Sequence, residues 1–423
     1  MSGAQRWRRI VGRRWSRRVA TVGALAGTGV ATLGVAASTA AAVTFARHVV
    51  TPARHKPDDL EILQVGPHRV VFSRTPDSVV PGRYGVWTDG GRGHFRVGEV
   101  LEDVAPDDGK GVRPRAEGRV TRELLGVDAG VPRPGPARWN QYYWAGDPGR
   151  ALGLPHVELL VPGEVGPLPV WDVPPAGRPD DADEADGAGG ADWAVLVHGR
   201  GATREETLRA LPLLHRLGLH CAVPAYRNDA DGPPSPARRY GLGGTEWHDV
   251  HSVVQHALDR GARRVVLVGW SMGGAIALQF VARSPLAAHV AALVLDGPVV
   301  DWRDVLDHQA RKNGFPVGLG RYGMALLGHP WGRRLVGVDS PVDLSQMDWV
   351  RRAEELSLPV LLVHSAADDY VPAGPSRRLA EARPDLITYV AEDRARHTKE
   401  WNVDPRRWED EVEGFLTARL GRG

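Results

Sequence analysis

Six short apolar runs in the second half of the chain constrain its fold more than any other feature. They are "WAVLVHG" (193–199), "LHCAVPAY" (219–226), "RRVVLVGW" (263–270), "VAALVLDG" (290–297), "PVLLVHSA" (359–366) and "LITYVAE" (386–392). Most are rich in Val and Leu and show no alternation of apolar and polar residues. A strand with one wet face alternates, whereas a strand covered on both faces does not. Stretches with helical periodicity separate most of the runs. In one of them Val250, Val253, Val254, Ala257 and Leu258 recur at i, i+3, i+4, i+7 and i+8. Buried strands alternating with helices give an α/β fold, a mostly parallel sheet with helices on both faces. In such a sheet the chemistry is expected just past the carboxyl ends of the strands.

The strand ends carry reactive residues in a telling order. Ser271 follows the run 263–270 directly, inside Gly269-Trp270-Ser271-Met272-Gly273, and a helix starts near Gly273. A strand-to-helix turn that tight lifts the serine Oγ above the sheet, and the two glycines remove side chains where strand and helix crowd. A serine hydroxyl needs a base. His397, past the last run in "RARHTKEWN", is placed to serve. The imidazole needs a carboxylate in turn, and "HSAADDYVP" (364–372) offers Asp368 and Asp369. A tetrahedral intermediate needs two donors. The backbone N–H of Met272 is one, and that of Arg200, in "HGRGA" (198–202), is the candidate for the other. His198 reads as a hydrogen-bonded structural residue.

The rest of the chain is organised around this body. Residues 1–18 hold seven arginines and no acid, and the 28 residues from Val19 to Ala46 carry no charge. About 20 apolar residues cross a bilayer, and the positive flank favours the N-terminus inside. The expected layout is a basic cytoplasmic tail (1–18), a transmembrane signal anchor (19–46) and an extracytoplasmic body. A cleaved signal with its cut near Ala40-Ala41-Ala42 is the alternative. Without the tail, 46 basic residues face 51 acidic ones, so no broad basic surface awaits nucleic acid. The single cysteine, Cys221, excludes an internal disulfide and a cysteine-rich zinc site. Residues 57–150, rich in Gly and Pro, read as a β-rich extension, with 82–101 as strand, turn, strand. A second hairpin is expected over 157–173. The acidic, glycine-rich stretch 176–192 reads as a loop or linker.

Together "LVHGRGA", "GWSMGG", "HSAADDYVP" and "RHTKEWN" resemble the α/β-hydrolase superfamily in order and position. The stretch 225–250 is similar to bacterial members of the serine-aminopeptidase-like and prolyl-oligopeptidase-like branch, some of them membrane-anchored. The resemblance covers residues 155–420. It implies an acid in the pattern H-G-x-x-D-x-x-V-P, which falls on Asp368, with Ser365 in place of the usual glycine. It also implies a lid between the sixth and seventh strands, here 301–356, over the serine. The expected activity is hydrolysis of an ester, thioester or amide through an acyl-enzyme, on a small-molecule or peptide acyl substrate, with no cofactor or metal. A peptidase is the alternative if the β-rich extension narrows access, and a catalytically silent binding protein is another. Trp270 and the lid are expected to select the acyl group.

Three further patterns carry less. Gly318-Leu319-Gly320-Arg321-Tyr322-Gly323 matches a dinucleotide fingerprint but follows no strand. His248, His251 and His256 read as a solvated helix face. Asp296 ends a strand run where a few hydrolases keep their acid.

Overall fold

The computed structural model describes residues 36–52, 57–106, 118–176 and 190–421. Most of the expected linker (176–192), the basic tail and the first part of the expected span lie outside the described residues. The chain first forms a helix over 36–50 (α1). Six strands follow: β1 (Leu60–Val65), β2 (Arg69–Ser73), β3 (Tyr84–Thr88), β4 (Gly93–Val104), β5 (Arg119–Ala129) and β6 (Gly135–Asn140). They close into an antiparallel barrel in the order β1-β2-β5-β4-β3-β6, which leaves no open edge. Its core is separate and includes Ile62, Phe72, Phe95, Val97 and Trp139.

After α2 (Pro148–Leu152) comes the eight-stranded sheet: β7 (Val157–Val161), β8 (Leu168–Val173), β9 (Asp192–Val197), β10 (His220–Pro224), β11 (Arg264–Trp270), β12 (Val290–Asp296), β13 (Val360–Ser365) and β14 (Ile387–Glu392). The order is β14-β13-β12-β11-β9-β10-β8-β7. The hairpin β7–β8 joins β10 antiparallel, and the other pairings are parallel. Each β9 residue is buried because both faces are covered. Val195 and Val197 enter one core and Ala194 and Leu196 the other. Helices α4 (Trp247–Asp259), α5 (Met272–Arg283) and α9 (Ala373–Ala382) contribute to the first core. Helices α3 (Leu211–Arg216) and α11 (Pro405–Leu420) contribute to the second.

Between β12 and β13 the insert 301–356 forms α6 (Trp302–Lys312), α7 (Val317–Gly328) and α8 (Gly332–Val336). Helix α1 packs on this insert. Phe45 stacks on Phe315 at 5.0 Å, and Ala42 and Ala46 are fully buried in the first core. A Cβ on Gly323 would stand 2.7 Å from the carbonyl oxygen of Ala42. The Gly318–Gly323 pattern is therefore a helical surface, smoothed at Gly323 for a close neighbour. Within the expected span, Ala42 and Ala46 are thus buried in the protein, while 36–38 and 40 are exposed. Among the described residues no helix is long and apolar enough to cross a membrane.

Candidate active site

Ser271 sits at the sharp turn between β11 and α5 with φ 52° and ψ −115°. Such a backbone costs a non-glycine residue about 1–3 kcal/mol and persists only where its surroundings enforce it. Here they do. A Cβ on Gly269 would meet the backbone of Gly273 at 2.7 Å, and one on Gly273 would meet the Val197 carbonyl oxygen at 1.9 Å. Both glycines are needed because helix, turn and the end of β9 touch backbone to backbone. The Ser271 amide donates to the Asp296 carbonyl at 3.1 Å, tying the turn to the neighbouring strand.

Three side chains from distant strand ends meet there. His397 Nε2 lies 2.8 Å from Ser271 Oγ, and its Nδ1 lies 2.6 Å from Asp368 Oδ2. A carboxylate only accepts, so Nδ1 carries the proton and Nε2 is left to accept from the serine hydroxyl. Asp368 Oδ1 takes the amides of Tyr370 and Val371, each at 2.8 Å. Burial alone would raise the Asp368 carboxyl. The attraction of His397, with His364 3.3 Å away, outweighs it and holds the group well below the usual carboxylate range. Asp369 points elsewhere: it is exposed and pairs with Lys312 at 2.7 Å. Ser365 does not disturb the turn, because its Oγ donates to Glu392 and accepts from the Ala367 amide. Asp296 lies buried away from this relay and accepts from Trp408 Nε1 at 2.9 Å.

The loop after β9 closes the other side. A Cβ on Gly199 would stand 3.1 Å from Ser271 Cβ. The Gly199 amide is taken by Glu206 Oε2 at 2.7 Å, and the next amide in this loop is that of Arg200. The Met272 amide heads α5 and has no acceptor within its own helix. The Arg200 guanidinium turns away and caps α1, donating to the carbonyls of His48 (2.9 Å), Val49 (2.8 Å) and Thr51 (3.0 Å). His198 is fully buried between the Gly199 carbonyl and Asp229, stacked on Tyr226.

Glu206 was not legible in the sequence as a site residue, nor were Arg209 and Lys399. Burial pushes the Glu206 carboxyl up, but Arg209 and Lys399 bring it below its ordinary value. Burial is also the main reason that the Lys399 ammonium falls to about 8, with Arg209 adding to the shift. Only the finished fold assembles this group.

Ser271 and His397 open into a cavity of about 380 Å³. Its far wall comes from the barrel and the segment just after it: Asp77, Val80, Tyr84, Trp139, Gln141 and Tyr142. Among the described residues, none from the insert 301–356 lines it. Trp270 is fully buried beneath the turn, beside Arg209, and lines no part of the cavity. The expectation that Trp270 and the insert shape the acyl site is therefore corrected. The insert packs on the face of the sheet, and Trp270 points into the opposite core from α5. Of the helix-face histidines, His251 bonds Ser284 Oγ at 2.8 Å. Among the described residues no cluster suits a metal ion.

The alpha/beta hydrolase family model matches residues 194–415, just over half of the chain, and a domain of unknown function (DUF8805) matches 61–140, the barrel. The chain belongs to the alpha/beta hydrolase family. Two uncharacterized proteins of Mycobacterium tuberculosis, from strains H37Rv and CDC 1551 / Oshkosh, are each 28% identical over 279 residues, spanning 61% of this chain and 86% of theirs. Among solved structures, the Pyrococcus furiosus esterase Pf2001 is similar with a TM-score of 0.48 at 16% identity, over 66% of this chain and 97% of that one. An esterase of Exiguobacterium antarcticum gives 0.42 at 17%, over 62% and 100%.

Proposed function

We propose that the protein is a serine hydrolase that cleaves an ester, thioester or amide through an acyl-enzyme. The observation that carries this reading is the unbroken relay Ser271–His397–Asp368 on the floor of a cavity. Ser271 Oγ attacks the acyl carbon while His397 Nε2 takes its proton. Asp368 holds the imidazolium that forms. The developing oxyanion accepts from the amides of Met272 and Arg200, with the N-terminus of α5 adding its dipole. His397 returns the proton to the leaving group, then activates the water that frees the acid. In the test, wild type turns over a short p-nitrophenyl ester and is labelled at Ser271 by a fluorophosphonate, and Ser271→Ala loses both. Labelling that survives the substitution would sink the assignment.

One observation favours a peptidase as the second reading: residues of the barrel line the cavity that holds Ser271, as they would in a body that narrows access to it. A peptide-amide substrate panel distinguishes the two. For location, the arginine-rich flank and apolar run support a membrane tether with the body outside the cytoplasm. Extraction of the full chain from membranes by alkaline carbonate would overturn it.

A further inference from the structure

We infer that the barrel is the specificity wall of the active site, that Arg122 is the residue that positions this wall, and that the wall admits compact apolar acyl groups. The inference rests on the reading of Ser271 as nucleophile. A cavity of about 380 Å³ is near the small end of ligand sites, which run from about 300 to 1,000 Å³. Beside Asp77 and Gln141, its barrel side presents the apolar and aromatic groups of Val80, Tyr84, Trp139 and Tyr142. Rigid rings hold their shape at little entropic cost, so they can measure the length of a chain laid against them.

The wall depends on the loop 78–83, and that loop is gripped from two sides. From inside the barrel, Arg122 donates to the carbonyls of Ser78 (2.9 Å), Val80 (2.7 Å) and Gly82 (2.5 Å), and also to Gly98. Its guanidinium lies over the rings of Tyr84 and Trp139, at 5.6 and 5.3 Å. The side chain is fully buried, and its hydrogen bonds all go to backbone carbonyls. Burying a cation this way is expensive unless its donors are all used. A barrel that needed only a core would hold an apolar residue at this position. The planar fork instead joins three carbonyls of one loop to β4.

From the hydrolase side, Asn402 in α10 (Glu400–Val403) takes the Arg83 amide on its carbonyl at 2.9 Å and donates its Nδ2 to the carbonyls of Arg83 and Gln141. A Cβ on Gly82, at φ 97°, would stand 2.4 Å from the Asn402 oxygen, so this seam is tight. Arg396, next to His397, pairs with Asp77 at 3.0 Å across the same seam. These contacts fix the loop against the hydrolase body at the cavity that Val80 and Ser271 both line.

The test measures labelling rates at Ser271 by peptide mass spectrometry, with ethyl and octyl fluorophosphonates, on the full chain. Wild type should favour the ethyl probe. Val80→Ala should raise the octyl-to-ethyl ratio about tenfold, the discrimination expected for one or two methylenes in an apolar pocket. Val80→Phe should lower it by a similar factor. Arg122→Lys keeps the charge and loses the fork, and should raise the ratio as the loop loosens. Because that change threatens the barrel itself, the Val80 pair carries the test. Trp331→Ala, on the exposed surface of the insert, is the control and should keep the wild-type ratio. Labelled Val80 variants with an unchanged ratio would overturn the wall while leaving the nucleophile intact. No labelling of wild type at Ser271 would overturn the nucleophile, and the wall with it.

Discussion

The barrel and the helical insert 301–356 both lie outside the sheet, and they relate to it in opposite ways. The insert shares the sheet's core: Trp302, Leu327, Val336 and Trp349 are buried together with residues of β9, β11 and α5. The barrel keeps a core of its own and meets the sheet domain through polar contacts, at Asn402, Arg396 and Gln141. Yet the barrel lines the cavity, and among the described residues the insert does not. A shared apolar core ties an element to the stability of the whole, whereas a separately folded body can present loops without disturbing it. On this view the insert stabilises and the barrel selects. The insert reaches the site only at second hand, where His308, Gln309 and Lys312 bond the carbonyls of Asp369 and Tyr370.

That division runs between two adjacent aspartates, which gives the largest predicted effect. Asp368→Asn should lower kcat by up to about 10⁴-fold by disfavouring the tautomer that His397 needs. Asp369→Asn, whose exposed carboxylate pairs with Lys312 and not with His397, should stay within about threefold. Steady-state kinetics on a short ester decides. Equal losses would mean that the insert is part of the catalytic machinery after all.

The sheet was legible because burial on both faces erases alternation, and a run such as "VVLVGW" leaves few other readings. Ser271, Asp368 and His397 were legible because each sits at a strand end, where the fold gathers chemistry. The cavity wall was not. Val80 and Tyr84 lie in "VVPGRYG", which reads as an ordinary turn and strand, and only the docking at Asn402 brings them over the serine. The packing of Ala42, Phe45 and Ala46 on the protein was not legible for a related reason. Ala, Val and Gly suit a lipid environment and also suit close packing on Gly320 and Gly323, and composition does not separate the two.

Next in size is Arg200. Its amide is a proposed oxyanion donor, while its guanidinium holds the end of α1, the helix that packs on the insert. Arg200→Met keeps the amide but frees the loop. Loss of a whole donor costs about 10²–10³ in kcat, so a loosened one should cost about tenfold, with KM little changed. A change in KM alone would place the side chain in substrate binding and detach α1 from catalysis.

Lys399 lies at the border between site and barrel. Folded, it loses its proton at about 8, while the unfolded chain holds it to about 10.4. Between those values the unfolded state binds more protons, so this group makes stability rise with pH, by at most about 1.4 kcal/mol per unit. Burial is the main cause, with Arg209 lowering the value and Glu206, Asp296 and Glu400 opposing the shift. Urea melts from pH 8 to 10 should show Lys399→Met with a flatter profile than wild type. Parallel profiles would mean that the ammonium is better solvated than its position implies.

The smallest effect tests the insert where it comes nearest to the site. Lys312 donates to the carbonyl of Asp369 at 2.9 Å and pairs with its carboxylate at 2.7 Å. Both side chains are exposed, and exposed pairs contribute little, typically below about 1 kcal/mol. His308 and Gln309 still hold the same loop when Lys312 is gone. Lys312→Ala should therefore leave the octyl-to-ethyl labelling ratio where it is and change kcat by no more than about twofold. A shifted ratio would show that the insert helps to set chain length through Tyr370, whose ring lies 5.2 Å from that of His397 and lines the cavity. The wall would then have two halves, one fixed by Arg122 in the barrel and one hung from α6.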